Sequence, residues 1–189
     1  MRDAIALFQR PFYFLRHGET QTNAQRLVAG SLDTELTEAG RQQALNAAAI
    51  LANEPITAVY SSPLRRARDT ATPVAERLEL PVIIVPELAE RSWGVLEGQP
   101  RGSRMRGVTP EGAESSRAFA QRILCAFAKI QSATPLIVGH SGVFRVLCRT
   151  LKIVEADAPV ANALPLRFEP LQDDDWKLSQ LITPQADDP

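Results

Sequence analysis

Two short apolar runs in this chain each end in a histidine flanked by glycine, and the chain has no other histidines. Phe12-Tyr13-Phe14-Leu15 leads into Arg16-His17-Gly18-Glu19-Thr20, and Pro135-Leu136-Ile137-Val138 leads into Gly139-His140-Ser141-Gly142. Apolar runs this short, bounded by turn residues, read as buried strands. Around them strand-like and helix-like segments alternate, the pattern of an α/β fold with a largely parallel sheet. Open sheets of that kind bind ligands beyond the carboxyl ends of their strands. Two histidines at two such ends point to one shared site.

The rest of the chain fills in that frame. After a first strand over residues 12–16, Thr37 is placed to cap a helix with Ala44, Leu45, Ala48 and Leu51 on one face. A second strand is expected over residues 57–60. Ser62-Pro63 then offers a capping hydroxyl followed by proline at the first helical position. Pro73 should kink or restart that helix after Thr72. Residues 82–85, between Pro81 and Pro86, form a third strand. From there to about Gly112 the chain is irregular and rich in Gly, Pro and Arg, and long loops of this kind are often functional. A long amphipathic helix follows over residues 113–131, with Phe119, Ile123, Phe127 and Ile130 as its buried stripe. Residues 136–139 make a fourth strand and 143–151 a helix. Strands over 165–168 and 176–182, separated by a solvated Asp173-Asp174-Asp175 turn, complete the set. The expected architecture is a three-layer α/β/α sandwich with a central, mostly parallel sheet of about six strands, one domain over residues 1–189.

Composition narrows the function classes. The formal net charge is −1, with 44% hydrophobic and 23% charged residues, which argues against a nucleic-acid-binding surface. Lysine occurs only at Lys129, Lys152 and Lys177, so the positive charge is nearly all arginine. Cys125 and Cys148 fall on apolar helix faces and read as small buried hydrophobes, without a disulfide framework or C-x-x-C clip. The apolar stretch near Met1 is too short for a signal peptide and no segment approaches a membrane span, so the expected location is the cytoplasm. A catalytic zinc site generally takes three protein ligands. With no third histidine and both cysteines on helix faces, neither a metal nor another cofactor is expected.

The motifs, in order, resemble the histidine phosphatase superfamily, the phosphoglycerate mutase-like proteins. Arg16-His17-Gly18-Glu19-Thr20 with Asn23 is similar to the motif that heads that family, and Leu36-Thr37-Glu38-Ala39-Gly40 with Gln43-Ala44 to its second element. Ser62-Pro63-Leu64-Arg65-Arg66-Ala67 resembles its arginine-bearing helix start, and Glu87-Leu88-Ala89-Glu90-Arg91 its acid-bearing loop. Glu111-Gly112-Ala113-Glu114-Ser115 and Gly139-His140-Ser141-Gly142 match the last two.

The resemblance implies a phosphoglycerate mutase-like fold and a metal-independent enzyme that attacks a small phosphate ester with His17. A neutral imidazole can form such a covalent intermediate, splitting one hard step into two. One ring nitrogen would donate to a backbone carbonyl and leave the other free. Arg16 and Arg66 would grip the phosphoryl oxygens, His140 and Asn23 would add donors, and Glu90 would act as general acid. A carboxylate in that role needs a pKa nearer neutrality than free Glu, which burial can supply. Glu19 would be a structural partner. Physics alone leaves Arg65 open in place of Arg66.

Residues 94–113 would form a small cap. The mutases carry a long insertion there, and its shortness favours hydrolysis over phosphoryl transfer to a second acceptor. A phosphoglycerate mutase or related phosphotransferase is the alternative, and a non-catalytic phospholigand-binding module a further one. Ala29 stands where many members of the family have glutamine. Arg101, Arg104 and Arg106 read first as an exposed basic loop and second as a grip on another anionic group. Phe12, Tyr13 and Trp93 read first as packing residues and second as flanks for a substrate ring. Asn162 reads first as an ordinary turn or cap and second as a tie between a loop near the site and the backbone.

Overall fold

A computed structural model describes residues 5–105, 107–154, 159–172 and 175–182. Its six-stranded sheet has the order β3-β2-β4-β1-β5-β6, with β1 Phe12–Arg16, β2 Ala58–Ser61, β3 Val82–Ile84, β4 Pro135–Gly139, β5 Pro165–Pro170 and β6 Trp176–Gln180. The pairings β3-β2, β2-β4 and β4-β1 are parallel, whereas β5 and β6 add an antiparallel edge. Side chains alternate along each strand, so β1 supplies both cores. Phe12 and Phe14 face one apolar cluster with Phe119, Ile123 and Phe127 of α4 (Ser116–Lys129) and Phe144 and Leu147 of α5 (Ser141–Thr150). Tyr13 and Leu15 face the other, with Ala47 and Leu51 of α2 (Glu38–Leu51) and Ala67, Ala71 and Val74 of α3 (Arg65–Arg77). Helices on both faces of one sheet make the three layers. A short α1, Gln21–Ala24, follows β1 directly. Among the described residues no helix is long and apolar enough to cross a membrane.

The register of the two central strands brings the histidines together. Arg16 pairs with Gly139 at the carboxyl ends of β1 and β4, and the His17 amide donates to the Gly139 carbonyl at 2.9 Å. On the far side of β4, the Ser62 amide donates to the Val138 carbonyl, seating Ser62 beside His140.

Several local expectations are corrected. Pro73 neither ends nor restarts α3, which runs unbroken from Arg65 to Arg77. The buried face of Ala67, Ala71, Val74 and Ala75 carries the helix past the one ladder bond that proline forgoes. Ser62-Pro63 does not open this helix. Leu64 is its N-cap, and the Arg65 amide is satisfied by Asp33 from a distant loop, a partner local spacing does not reveal. The long helix begins after a Ser115 cap rather than at Ala113. Leu45 is 54% exposed, because Ala44, Ala47, Ala48 and Leu51 are the buried face of α2. Cys125 is exposed while Cys148 is buried. The irregular stretch contains three 3₁₀ turns, Pro86–Leu88, Gly94–Leu96 and Arg101–Ser103. Asp173, Asp174 and Arg106 lie outside the described residues.

Candidate active site

Backbone hydrogen bonds hold the loop after β1 before any side chain acts. The Gly18 amide donates to Thr70 Oγ1 at 2.9 Å, and that hydroxyl donates to the Arg66 carbonyl at 2.7 Å, linking the His17 loop to α3. On the other side the loop presses against the first turn of α2. A Cβ at Gly18 would stand 2.4 Å from the Gly40 carbonyl oxygen, and one at Gly40 only 2.1 Å from that of Glu19, so both positions need glycine for close approach. Thr37 Oγ1 donates to Glu19 Oε1 at 2.8 Å and accepts from the Gly40 amide at 3.0 Å. Glu19 is therefore part of the loop's attachment to α2 and does not line the pocket.

His17 is 4% exposed and His140 fully buried, their ring centroids 5.2 Å apart at 57°. His17 Nδ1 lies 2.7 Å from the Gly18 carbonyl oxygen. A carbonyl can only accept, so Nδ1 carries the proton and Nε2 keeps its lone pair, with no hydrogen bond to the protein. His140 Nε2 lies 2.7 Å from Ser62 Oγ.

Burial holds both imidazoles well below the ordinary pKa of 6.5. The Arg66 and Arg16 charges add to this at His17, and Arg66 and His17 at His140. An unfolded chain takes up two protons near pH 6.5 that the folded chain refuses. Folding stability is thus full above pH 6.5 and falls as pH drops below it, by up to about 1.4 kcal/mol per pH unit for each ring. Thermal midpoints in a buffer free of phosphate should be lower at pH 5.5 than at pH 7.5, and His17→Asn should flatten the difference. Equal midpoints for the unaltered chain would contradict two buried neutral rings.

Cations crowd this pocket. Arg16, Arg66, Arg101, Arg104 and Arg145 line it together with His17, Asn23, Trp93 and Glu90. Burial, then Arg101, lowers Arg16 to about 10, and burial also depresses Arg66. Arg66 is 1% exposed and donates through Nη2 to the Gly30 carbonyl at 2.8 Å and through Nη1 to that of Leu32. Arg65, by contrast, is an exposed partner of Glu35 and Asp69, and does not line the pocket. Arg16 Nη1 donates to the Val160 carbonyl at 2.6 Å. Among the described residues, buried Arg16 Nε, Arg66 Nε and His140 Nδ1 find no hydrogen-bond partner. A buried polar group left unpaired costs about 1–3 kcal/mol. An oxyanion here would offset part of that cost and the repulsion among the guanidiniums.

Asn23 closes one wall. Its Oδ1 accepts from the Thr20 amide and, at 3.0 Å, from Asn162 Nδ2, which leaves its own amide hydrogens to donate. Asn162 also donates to the His17 carbonyl at 2.9 Å, so it is a strut of the site rather than a plain turn residue. Phe12 and Tyr13 stay in the core, Phe12 stacked on Phe168 at 4.7 Å, while Trp93 lines the pocket. Arg101 is exposed and Arg104 half-buried, as an exposed basic loop implies, yet both also stand at the site. Both face the pocket, because the Arg101 amide donates to the Arg26 carbonyl and residues 26–31 and 97–101 clasp each other.

Glu90 reaches the pocket from the opposite side. Its Oε1 accepts from the Arg91 amide at 2.8 Å and its Oε2 from the Gly142 amide at 2.9 Å, in the first turn of α5. Its loop is clamped by a residue no motif flagged. Arg122 on α4 donates to the carbonyls of Glu87 and Ala89 at 2.7 and 2.9 Å while holding both Glu114 oxygens. Glu97 is a second such clamp, accepting from Ser31 and from the Trp93 amide. Both join segments distant in sequence, and neither leaves a signature there. Among the described residues no group of three or more His, Cys, Asp or Glu side chains is placed to hold a metal ion.

Comparison with known proteins gives a consistent picture. The profile of the histidine phosphatase superfamily (branch 1) matches residues 12–166. The probable phosphoglycerate mutase GpmB of Erwinia tasmaniensis is 34% identical over 165 residues, covering 77% of this chain and 76% of that protein. A metal-independent phosphoserine phosphatase of Arabidopsis thaliana is 32% identical over 184 residues, covering 86% and 76%. Among solved structures, the alpha-ribazole phosphatase of Shigella flexneri superposes with a TM-score of 0.78 at 29% identity, over 92% of this chain and 96% of that one. A mycobacterial glucosyl-3-phosphoglycerate phosphatase in complex with VO3 gives 0.77 at 29%, over 91% and 98%.

Proposed function

The chain belongs to the histidine phosphatase superfamily, and on that footing we propose that it hydrolyses a small phosphomonoester through a phosphohistidine on His17. One observation carries the reading: an imidazole with Nδ1 tied to its neighbour's carbonyl and a bare Nε2 among buried guanidiniums. The Nε2 lone pair attacks phosphorus, and the bond from phosphorus to the ester oxygen breaks. Glu90, protonated for this step, gives its proton to that oxygen and the alcohol leaves. Glu90, now a carboxylate, then takes a proton from water as the water oxygen attacks phosphorus. The P–N bond breaks, its electrons return to Nε2, and inorganic phosphate departs with Glu90 protonated again.

Arg16 and Arg66 stabilise the charge spread over the phosphoryl oxygens, the main task a protein has in this chemistry. His140 Nδ1 and the Asn23 amide are further donors to the same group. The protein's own cations serve this role, and turnover in the presence of chelator is part of the expectation.

Similarity to a probable phosphoglycerate mutase favours a second reading, transfer of the phosphoryl group to an acceptor. That reaction needs the phosphohistidine shielded from water. The cap here is two short turns, Gly94–Leu96 and Arg101–Ser103, clasped onto residues 26–31, which supports hydrolysis. With 3-phosphoglycerate as substrate, phosphate release without isomerisation is the expected result. Isomerisation outrunning phosphate release would overturn the preference for hydrolysis.

A further inference from the structure

Glu90, Trp93, Arg104, Ser141 and Arg145 form a wall shared by two hollows. One is the small phosphate pocket, of about 100 Å³; the other is a cleft of about 210 Å³ between α4 and α5. The two differ in chemistry. Phe119, Ala120 and Leu124 of α4 and Val146 of α5 line the cleft and give it a larger apolar share than the phosphate pocket has. A floor of this kind binds hydrocarbon rather than a bare sugar acid.

The shared wall fixes what enters the cleft. A general acid must stand at the oxygen it protonates, within hydrogen-bond reach. Glu90 lines both hollows, so an ester oxygen held against it puts phosphorus on the His17 side and the alcohol on the cleft side. The rim adds a charge requirement. Arg145 is half-buried and, among the described residues, its guanidinium makes no hydrogen bond or ion pair. Arg104 rests over the Trp93 ring at 5.1 Å with one long bond to the Arg101 carbonyl, and has no carboxylate partner. Burial, then Arg101 and Arg145, depresses it further. Glu90 is the one carboxylate on the shared wall, and each of its oxygens already accepts a backbone amide.

We infer that this cleft seats the leaving alcohol, and that the preferred substrate is a phosphomonoester whose alcohol is apolar and bears a second oxyanion held by Arg145 and Arg104. The inference rests on the phosphomonoesterase reading and adds the substrate class to it. Guanidinium forks recognise carboxylate and phosphate oxygens alike, and a carboxylate serves as the probe.

The test compares kcat/KM for 4-carboxyphenyl phosphate, its neutral methyl ester and β-glycerophosphate. The methyl ester has the better leaving group, so intrinsic reactivity runs against the expected order. The acid should be hydrolysed about tenfold more efficiently than its ester, the size of one charge-assisted hydrogen bond. Arg145→Gln should bring that ratio to one or below. Ala120→Trp, which fills the floor without touching the charges, should lower the ratio of either aryl ester to β-glycerophosphate. An ester hydrolysed as well as the acid by the unaltered enzyme, or an acid preference that survives Arg145→Gln, would overturn the inference. Absence of phosphate release from all three defeats the phosphomonoesterase reading instead, so the two failures are distinct.

Discussion

His17→Ala is expected to abolish phosphate release and, with it, any acid-labile phosphate carried covalently by the protein. The loss should exceed about a thousandfold, since removing a nucleophile leaves only the contribution of binding and charge stabilisation. The geometry makes the claim specific to His17. Its Nδ1 is locked on the Gly18 carbonyl, so the ring presents Nε2 whether or not substrate is bound. Burial and the charges of Arg66 and Arg16 keep the ring unprotonated, and a protonated imidazole has no lone pair to attack with. His140 cannot take over. Its Nε2 is engaged by Ser62, and its Nδ1, as a donor to the phosphoryl group, carries a proton in place of a lone pair. Rapid acid-free quenching of the unaltered enzyme with labelled substrate should trap phosphate on the chain, and the variant should trap none. Hydrolysis undiminished in His17→Ala would end the covalent mechanism even if the fold and the pocket were intact.

Much of this site is legible in the sequence because strand ends are legible. An apolar run followed by a Gly-flanked histidine marks where a buried strand stops, and two such marks on neighbouring parallel strands meet by register alone, as Arg16 and Gly139 do. The helix N-cap at Thr37 is likewise local, its hydroxyl accepting the Gly40 amide three residues on. What the sequence hides is whatever is settled across distance. Spacing could not choose between Arg65 and Arg66. The choice follows from the loop carrying Gly30 and Leu32, whose carbonyls bind Arg66, and from Glu35, which draws Arg65 outward. Pro73 reads as a break on backbone bonds alone, whereas the α2–α3 contact decides. That Arg101 and Arg104 stand at the pocket is hidden for a similar reason, even though Arg101 is exposed as its loop suggests. Only the clasp between residues 26–31 and 97–101 turns that loop inward. Arg122 shows the limit most clearly: as one more arginine on an amphipathic helix it has no signature, yet it clamps the loop that carries the acid.

That clamp matters only if Glu90 also has room, and Gly142 provides it. A Cβ at Gly142 would fall 2.1 Å from Glu90 Oε1 and 3.0 Å from both its Cδ and Phe119 Cζ. The backbone there cannot retreat, because α5 is anchored by buried Val143, Phe144, Leu147 and Cys148. Of the atoms in conflict, the Glu90 carboxylate sits at the end of the most flexible chain, so Gly142→Ala should evict the acid and leave the fold standing. Alanine within the first helical turn is at worst neutral for helix stability, and the thermal midpoint serves as the control. Hydrolysis of alkyl phosphates should fall by about a hundredfold or more, the usual worth of general acid–base catalysis. With p-nitrophenyl phosphate the outcome should split. The nitrophenolate leaves without a proton, so the first-turnover burst survives, while the water step still needs the Glu90 base and the steady-state rate drops. Phosphohistidine should therefore accumulate in Gly142→Ala with the activated ester. A variant that hydrolyses alkyl phosphates at the unaltered rate would show that the carboxylate beside Gly142 is not the acid, and Glu90 would lose its place in the mechanism.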